Sequence, residues 1–524
     1  MGMYLNPGNA GFQSIRKTIY IDKSELIAKI NQTIGTKDKL TCVSRPRRFG
    51  KSFATQMLCA YYDKTCNSLD LFSDLKIAKD STFEQYRNRY HVIYLDVTWF
   101  ISTGGNIKNT VFYLQEQVLH ELYMIYPFIH KETSFPVALA KIAEKTGDKF
   151  IIIIDEWDAL FREAKEDIKL QKEYIQLLRG LFKSHQTDKM LEAAYMTGIL
   201  PIKKYGTQSA LTDFQEYTML QPKILAEYTG FTEAEVSKLC RKYQLDFEQA
   251  KRWYDGYSFS KIKSVYNPNS IMQAVKSGEF ANYWTETETY ESLKVYIEIN
   301  LDGIKEALMQ MLGGNKCKID TGTFQNDMTT IKSRDDVFTL LVHLGYLAYD
   351  GQEKAVYIPN MEIRHEFIRA IKAGRHTEIA KLIAASDVLL QDTLLMESQR
   401  VADKIAYIHQ ISVAPNFYNN EQALRSVIRF AYICCIDEFK EIQELPSGHG
   451  YADIVYFPKK NSSMPILVIE LKWNQKASAA IQQIKEKNYP QIFEGYGNDI
   501  FLVGISYDEK TKKHECVIEK LHND

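Results

Sequence analysis

From the start of the chain to about Leu225, short apolar runs alternate with stretches of helical period. Leu40 to Val43 and Leu191 to Ile199 read as buried strands. Ile151 to Ile154 is the most uniform run, too short and too β-branched for a helix and apolar enough for the centre of a parallel sheet. His91 to Phe100 is predicted as a further strand, and helical periods fall at Glu25 to Thr33, Phe53 to Tyr62, Asn106 to Tyr126 and Glu173 to Lys183. Strand alternating with helix over residues 1–225 predicts an α/β, doubly wound parallel sheet that binds its ligand at the carboxyl ends of the strands.

Beyond Ala226 the pattern breaks into short helices separated by turn chemistry, which predicts a helical middle domain over residues 226–380. Gly230 to Glu233 opens a capped helix, while Trp253-Tyr254-Asp255-Gly256-Tyr257 and Tyr266-Asn267-Pro268 read as loops. Asp335 to Leu344 and Arg364 to Lys372 are predicted helices flanking a hairpin, Tyr346 to Tyr349 and Ala355 to Ile358, that turns at Asp350-Gly351. That order suits a winged helix, a common DNA reader. It suits a lid on the nucleotide or on a neighbouring subunit equally well, because Val337 to Leu344 is apolar rather than basic. Residues 381–524 return to α/β character: a helix from Asn420 to Ala431, alternating strands over Gly450 to Tyr456 and Ile466 to Lys472, and a helix from Ala479 to Tyr489.

With 45% hydrophobic, 25% charged and 12% aromatic residues, a chain this long builds full cores and about three domains. A formal charge of −1 argues against a histone-like or tail-driven nucleic-acid binder and leaves room for a local basic groove. The eight cysteines include no Cys-x-x-Cys pair and no zinc spacing, so they are expected to be reduced thiols of a cytoplasmic protein. Met1 to Arg16 lacks a charged segment followed by an apolar one and no run approaches the length of a bilayer span, so no export or membrane insertion is expected; Asn6 stands where a myristoylation signal beginning at Gly2 needs Ser or Thr.

Chemistry enters at Ser44 to Ser52, Ser-Arg-Pro-Arg-Arg-Phe-Gly-Lys-Ser, between a predicted strand and a predicted helix, where a phosphate-binding loop belongs. Here Arg47, Arg48, Phe49 and Gly50 form the approach to a polyphosphate, Lys51 reaches the β and γ phosphates, and Ser52 holds Mg²⁺ at a helix N-terminus. Arg45 stands where the usual pattern has its first glycine, and taken alone the segment is also compatible with an ordinary basic turn. The run Ile151 to Asp158 decides between them by ending in two carboxylates. Asp155 is expected to hold Mg²⁺ through water and Glu156 to polarise the attacking water, since phosphoryl transfer is mostly positioning and charge neutralisation. Thr197, at the end of a strand, is placed either as a sensor of the γ phosphate or as a threonine satisfied by a turn.

A second constellation lies near the end of the chain. Glu470 and Lys472 are two apart and project from one face of a strand; with Asp453 on a neighbouring strand they supply two carboxylates for a divalent metal and an ammonium for the attacking water. Hydrolysis of a phosphodiester needs that set. Glu421 adds a third carboxylate from a helix, and Gln482, Lys485 and Tyr489 share one face of the next helix. A solvated Glu/Lys pair ending an apolar strand is the plainer alternative.

These motifs together resemble a family of bacterial proteins that join an AAA-type ATPase-like domain to a C-terminal nuclease domain of the PD-(D/E)XK superfamily, and the resemblance spans nearly the whole chain. Arg45 to Ser52 is similar to that family's own form of the phosphate loop, arginine included; Tyr20 to Ser24, Trp253 to Tyr257 and Tyr266 to Pro268 are similar to its recurrent motifs. Asp453, Glu470 and Lys472 match the nuclease superfamily's Asp and Glu-x-Lys, Glu421 its helical glutamate and Gln482 its trailing helix residue, whereas Tyr451 departs from the arginine often found there. The resemblance implies an ATPase with a metal-dependent nuclease and does not supply a substrate. The expected cofactors are ATP and Mg²⁺, with Mn²⁺ an alternative at the nuclease site, and the expected partners are nucleic acid, DNA in the first place, and further copies of the chain, with no membrane. The rival expectation is an ATP-dependent switch whose nuclease-like domain binds nucleic acid without cutting it; the intact Asp and Glu-x-Lys set argues against that.

Overall fold

The protein is described here by a computed structural model covering residues 2–202, 204–205, 208–259, 262–284, 290–299, 301, 303–325, 331–374, 377–412, 421–447, 450–458, 464–487 and 499–521. It divides into two compact units, residues 1–289 with 318–365, and residues 290–317 with 366–524.

The first unit is built on five parallel strands. They are β1 (Leu40–Ser44), followed by helix α1 (Lys51–Tyr62), then β2 (His91–Asp96), β3 (Phe150–Asp155), β4 (Leu191–Gly198) and β5 (Gln215–Tyr217). The sheet order is β2-β3-β4-β1-β5, with Asp96 beside Asp155 and Ser44 beside Gly198, so the carboxyl ends of four strands meet at one edge. Strand β3 is apolar on both faces because both are covered: Ile152 and Ile154 enter one core with Leu40 and Met196, and Ile151 and Ile153 enter the other with Val43 and Tyr195.

Some boundaries differ from the expected ones. The strand from His91 ends at Asp96, whose carboxylate accepts the Trp99 N–H at 3.2 Å and caps a helix over Val97–Thr103. The long helix expected from Asn106 begins at Thr110, after a short 3₁₀ turn. Trp253 and Tyr254 complete a helix (Phe247–Tyr254), Tyr257 begins a strand (Tyr257–Phe259) and Tyr266 ends one (Ile262–Tyr266), so the turn is confined to Asp255-Gly256. Thr232 and Glu235 form a reciprocal capping box on the helix Glu233–Tyr243. The hairpin is present as Ala348–Asp350 against Ala355–Tyr357. Its preceding helix, Arg334–Leu344, is buried at every position from Asp336 onward, and a helix covered on all sides cannot enter a DNA groove.

The aromatic-glycine motif ties these pieces together. Tyr357 donates to Gly256 O at 2.8 Å, the Asn360 side chain donates to Asp255 O at 2.8 Å, and Tyr257 donates to Gly345 O at 2.6 Å. Gly256 has φ of +114°, and a Cβ there would stand 2.0 Å from Pro359 O. Gly256→Ala therefore combines a disallowed backbone with a backbone collision and is expected to cost about 3 to 5 kcal/mol. Thermal melting and limited proteolysis of the variant check this; a wild-type melting point would refute it.

The second unit carries a mixed sheet of β6 (Phe439–Ser447), β7 (Gly450–Pro458), β8 (Ile466–Trp473), β9 (Ile500–Asp508) and β10 (Lys513–Leu521), hydrogen-bonded in that order. Only β8 and β9 run parallel. Helix α2 (Glu421–Ala431) precedes the sheet and α3 (Ala477–Glu486) makes the parallel crossover. Gly504 on β9 lets α3 lie against the strands, since a Cβ there would be 2.5 Å from Ala477 O.

Candidate functional site

The loop from Ser44 to Gly50 is held from outside itself, which accounts for its unusual residues. Arg45 is fully buried; its Nη1 donates to Ser44 O at 2.8 Å and to Tyr217 O at 2.9 Å, and its guanidinium lies 5.0 Å over the Phe259 ring. Burial lowers its pKa to about 10. Phe49 is equally buried, edge-on to Tyr257 at 5.4 Å, and its carbonyl accepts the Gly230 N–H at 3.0 Å. Pro46 packs against Gly345. Arg45 thus anchors the loop where a glycine would only bend it, while Arg47 and Arg48 stay exposed.

Gly50, with φ of +84°, ends the loop and begins α1, and Lys51 is buried there with Nζ 3.0 Å from Pro46 O and 3.5 Å from Glu156 Oε1. Asp155 is nearly buried and accepts the Thr197 hydroxyl at 2.6 Å and the Thr55 hydroxyl at 3.4 Å. Burial raises its pKa, with hydrogen bonds from Thr197 and Ser52 opposing. Glu156 differs: burial pushes it up, but Lys51, Arg162 and Arg47 outweigh that and hold it below the usual carboxylate range. Thr197 is committed to Asp155, and Ser52 sits one residue into α1 within reach of the same carboxylate. Two residues were not anticipated: Thr55, one turn after Lys51, and Arg162, whose contact requires the turn after β3.

Beside the loop is a cavity of about 380 Å³ lined by Ile19, Tyr20, Met57, Tyr228, Phe231 and Met272, with Lys51 and Ser52 also in its wall. It has the size and apolar lining of a small-ligand site. Tyr20 to Ser24 serves both wall and frame: Asp22 accepts from Ser24 N and Lys76 N at 2.8 Å each, and Lys23 Nζ pairs with Glu235 at 2.6 Å.

A buried ammonium, a glycine-opened helix N-terminus and an adjacent carboxylate with a hydroxyl in reach fit a Mg²⁺-bound polyphosphate.

In the second unit Asp453, Glu470 and Lys472 converge. The Asp453 Oδ2 accepts the Leu471 N–H at 2.9 Å, one step beyond the Ile454–Ile469 pair of β7 and β8. Lys472 Nζ is 3.6 Å from Glu470 Oε1. Burial first, then the charge of Asp453, raises Glu470 to about 7 against the pull of Lys472. The Gln483 amide, from α3, bridges the pair by donating to Glu470 Oε1 and accepting from Lys472. The residue expected there, Gln482, is exposed and bonds Glu486, because the buried stripe Ala477, Ala480, Ile481 and Ile484 sets the rotation of α3 and turns Gln483 toward the pair. Glu421 is the first residue of α2, with its side chain outside the described set; the Tyr451 side chain and Tyr489 also lie outside it.

Glu470 Oε2 is buried without a hydrogen-bond partner, and burial and the Asp453 charge raise the cost of ionising Glu470, which a nearby cation would offset. Among the described residues no group of three or more acidic, histidine or cysteine side chains stands together. Two carboxylates on neighbouring strands, one with a partnerless oxygen, fit a Mg²⁺-type ion, which keeps several waters and takes one or two carboxylates. Arg425, on α2, donates to Asp453 Oδ1 and so competes for a cation's oxygen. Arg425→Gln is expected to bind Mn²⁺ about two- to fivefold more tightly, the worth of a part-exposed ion pair. Calorimetry without nucleotide, with Asp453→Asn as the non-binding control, checks this; unchanged or weaker binding would refute it.

The parallel sheet, its anchored loop and the acidic end of β3 define a phosphate-loop ATPase-type domain, and the Asp and Glu-x-Lys centre on a mixed sheet defines a nuclease-type one. Residues 8–207 match the family described as "Predicted AAA-ATPase", and residues 419–516 match the PD-(D/E)XK nuclease superfamily, so the chain carries an AAA-ATPase-like domain followed by a PD-(D/E)XK domain. A protein of Azotobacter chroococcum mcd 1, described as an uncharacterized protein in the vnfD 5′ region, is 22% identical over 520 residues, covering 94% of this chain and 93% of that one. Among solved structures, replication initiator DnaA bound to AMPPCP and single-stranded DNA aligns at 11% identity over 72% of this chain and 92% of its own, with a TM-score of 0.25. The Aeropyrum pernix ORC2 protein aligns at 11% identity over 70% and 94%, with a TM-score of 0.22. No helix of the described residues is long and apolar enough to cross a membrane.

Proposed function

We propose that this protein hydrolyses ATP in its first unit and cleaves nucleic acid, DNA in the first place, in its second. The observation that carries the reading is the convergence of Asp453, Glu470 and Lys472 around a buried, partnerless carboxylate oxygen, on a chain that also brings Lys51, Asp155 and Glu156 together. At the first site Lys51 binds the β and γ phosphates, with Arg47 and Arg48 along the approach; Ser52 and Asp155 hold Mg²⁺, Thr197 orients Asp155, and Glu156 polarises the attacking water. ATP seats its base in the cavity beside Tyr20. The metal there supplies charge neutralisation on the phosphates.

At the second site Asp453 and Glu470, with Glu421 as the proposed third carboxylate, hold Mg²⁺ or Mn²⁺. The metal supplies Lewis acidity and a lowered pKa for water. Lys472, oriented by Gln483, places its ammonium where it stabilises the attacking oxygen or the scissile phosphate. We further propose a cytoplasmic homo-oligomer acting in defence against, or handling of, mobile DNA, in which ATP turnover gates cleavage. Incubation with single- and double-stranded DNA and RNA, in Mg²⁺ or Mn²⁺ and with or without ATP, tests the assignment; no cleavage of any substrate would overturn it. A second reading, a nucleotide switch whose nuclease-like unit only binds nucleic acid, is favoured by Arg425 sitting on Asp453. Binding without cleavage, in wild type and Arg425→Gln alike, is its signature.

A further inference from the structure

The turn after β3 contains an arginine that the nucleotide chemistry has not used. Arg162 lies in the short helix Ala159–Glu163, and its two ends are both engaged: Nη2 donates to Glu156 Oε2 at 2.5 Å and Nε donates to Asp158 Oδ2 at 3.1 Å. Asp158 is itself fixed. It is fully buried, and its carboxylate also accepts the backbone N–H groups of Ile199 at 3.1 Å and Leu200 at 2.8 Å, just beyond β4. The guanidinium is therefore mounted on the sheet through Asp158 and has little freedom, with 11% of its side chain exposed.

Glu156 adopts φ of +50°, a left-handed conformation that a non-glycine residue keeps only when its surroundings demand it. The result is a carboxylate held by one oxygen on Arg162 and facing Lys51 Nζ with the other at 3.5 Å. Phosphate oxygens on Lys51 would free Oε1 for water, with Oε2 still held by Arg162.

We propose that Arg162 is a positioning residue for ATP hydrolysis, aiming the Glu156 carboxylate at the attacking water from a mount provided by Asp158. The inference rests on the reading of Glu156 as the group that polarises water. Arg162 bonds Glu156 and Asp158 and no residue of the 44–52 loop, so its loss should leave nucleotide binding in place. A planar fork can bridge two carboxylates, and a lysine ammonium reproduces only part of that geometry.

The test uses the full chain and four variants: Glu156→Gln, Arg162→Gln, Arg162→Lys and the double variant Glu156→Gln/Arg162→Gln. The affinity for a non-hydrolysable ATP analogue and single-turnover phosphate release are read for each. Arg162→Gln should bind the analogue within about threefold of wild type and lose about a hundredfold in turnover, in the range of a positioned catalytic group. Arg162→Lys should lose about tenfold. In the Glu156→Gln background, Arg162→Gln should cost less than about twofold more, because residues that act as a unit are not additive. A merely structural ion pair would instead weaken analogue binding or add its loss to that of Glu156→Gln, and either result overturns the proposal. Should Arg162→Gln fail to fold, wild-type turnover by Arg162→Lys overturns it as well. If Glu156→Gln itself turns ATP over at the wild-type rate, the underlying reading of Glu156 has failed, and the role of Arg162 falls with it.

Discussion

Glu156→Gln is expected to bind ATP about as tightly as the wild type and to lose roughly a hundred- to ten-thousandfold in turnover, whereas Lys51→Ala is expected to lose tight binding altogether. The two residues face each other at 3.5 Å, yet the physical demands on them differ. Lys51 is a buried side chain at a helix N-terminus. On the proposed reading it is the main cation on the β and γ phosphates, and removing it would leave those charges poorly matched. Glu156 has nothing to offer an anionic ligand in the ground state, so its amide replacement should be felt only when water is activated. Fluorescent-nucleotide titration beside phosphate release separates the two. Wild-type turnover by Glu156→Gln, or undiminished binding by Lys51→Ala, would remove the corresponding assignment.

Asp453→Ala and Glu470→Ala are each expected to abolish metal-dependent cleavage while ATP hydrolysis continues, because the two centres share no residue. Lys472→Ala should retain a trace, losing roughly two to four orders of magnitude as positioned electrostatic groups do. Glu470 is pushed to about 7 by burial and by Asp453, so losing Asp453 changes the charge on Glu470 as well as the ligand count. Cleavage assays and ATPase assays on the same preparations check this. Persisting cleavage in both carboxylate variants would reject the centre, and parallel loss of ATPase activity would show that the substitution had damaged more than one site.

What could be read from the residues alone was the chemistry that neighbours in sequence share. The uniform run before Asp155, and Glu470 two residues from Lys472, need only the periods of a strand to put their side chains in place. Long-range contacts were out of reach. Nothing near Arg45 reveals that Tyr217 O, 172 residues away, will accept its guanidinium. Arg162 was missed because its reach to Glu156 depends on one residue entering the left-handed region. The choice between Gln482 and Gln483 turned on which face the helix packs against the sheet, since neighbouring residues point about 100° apart and the buried stripe Ala477, Ala480, Ile481 and Ile484 decides between them. At Trp253 to Tyr257 the turn signal of Asp-Gly was legible and its extent was not: the flanking aromatics belong to a helix and a strand that tertiary packing completes.

The clamp on the phosphate loop changes when its conformational entropy is lost. Phe49 against Tyr257, Pro46 against Gly345 and the Gly230 amide on Phe49 O immobilise the backbone while the chain folds, so an arriving nucleotide meets a preorganised cradle. Affinity would then depend on residues outside the cavity wall: loosening Tyr257 or Gly345, some two to three hundred residues downstream, would transfer the ordering cost back to the binding step and weaken it without removing any group of the loop.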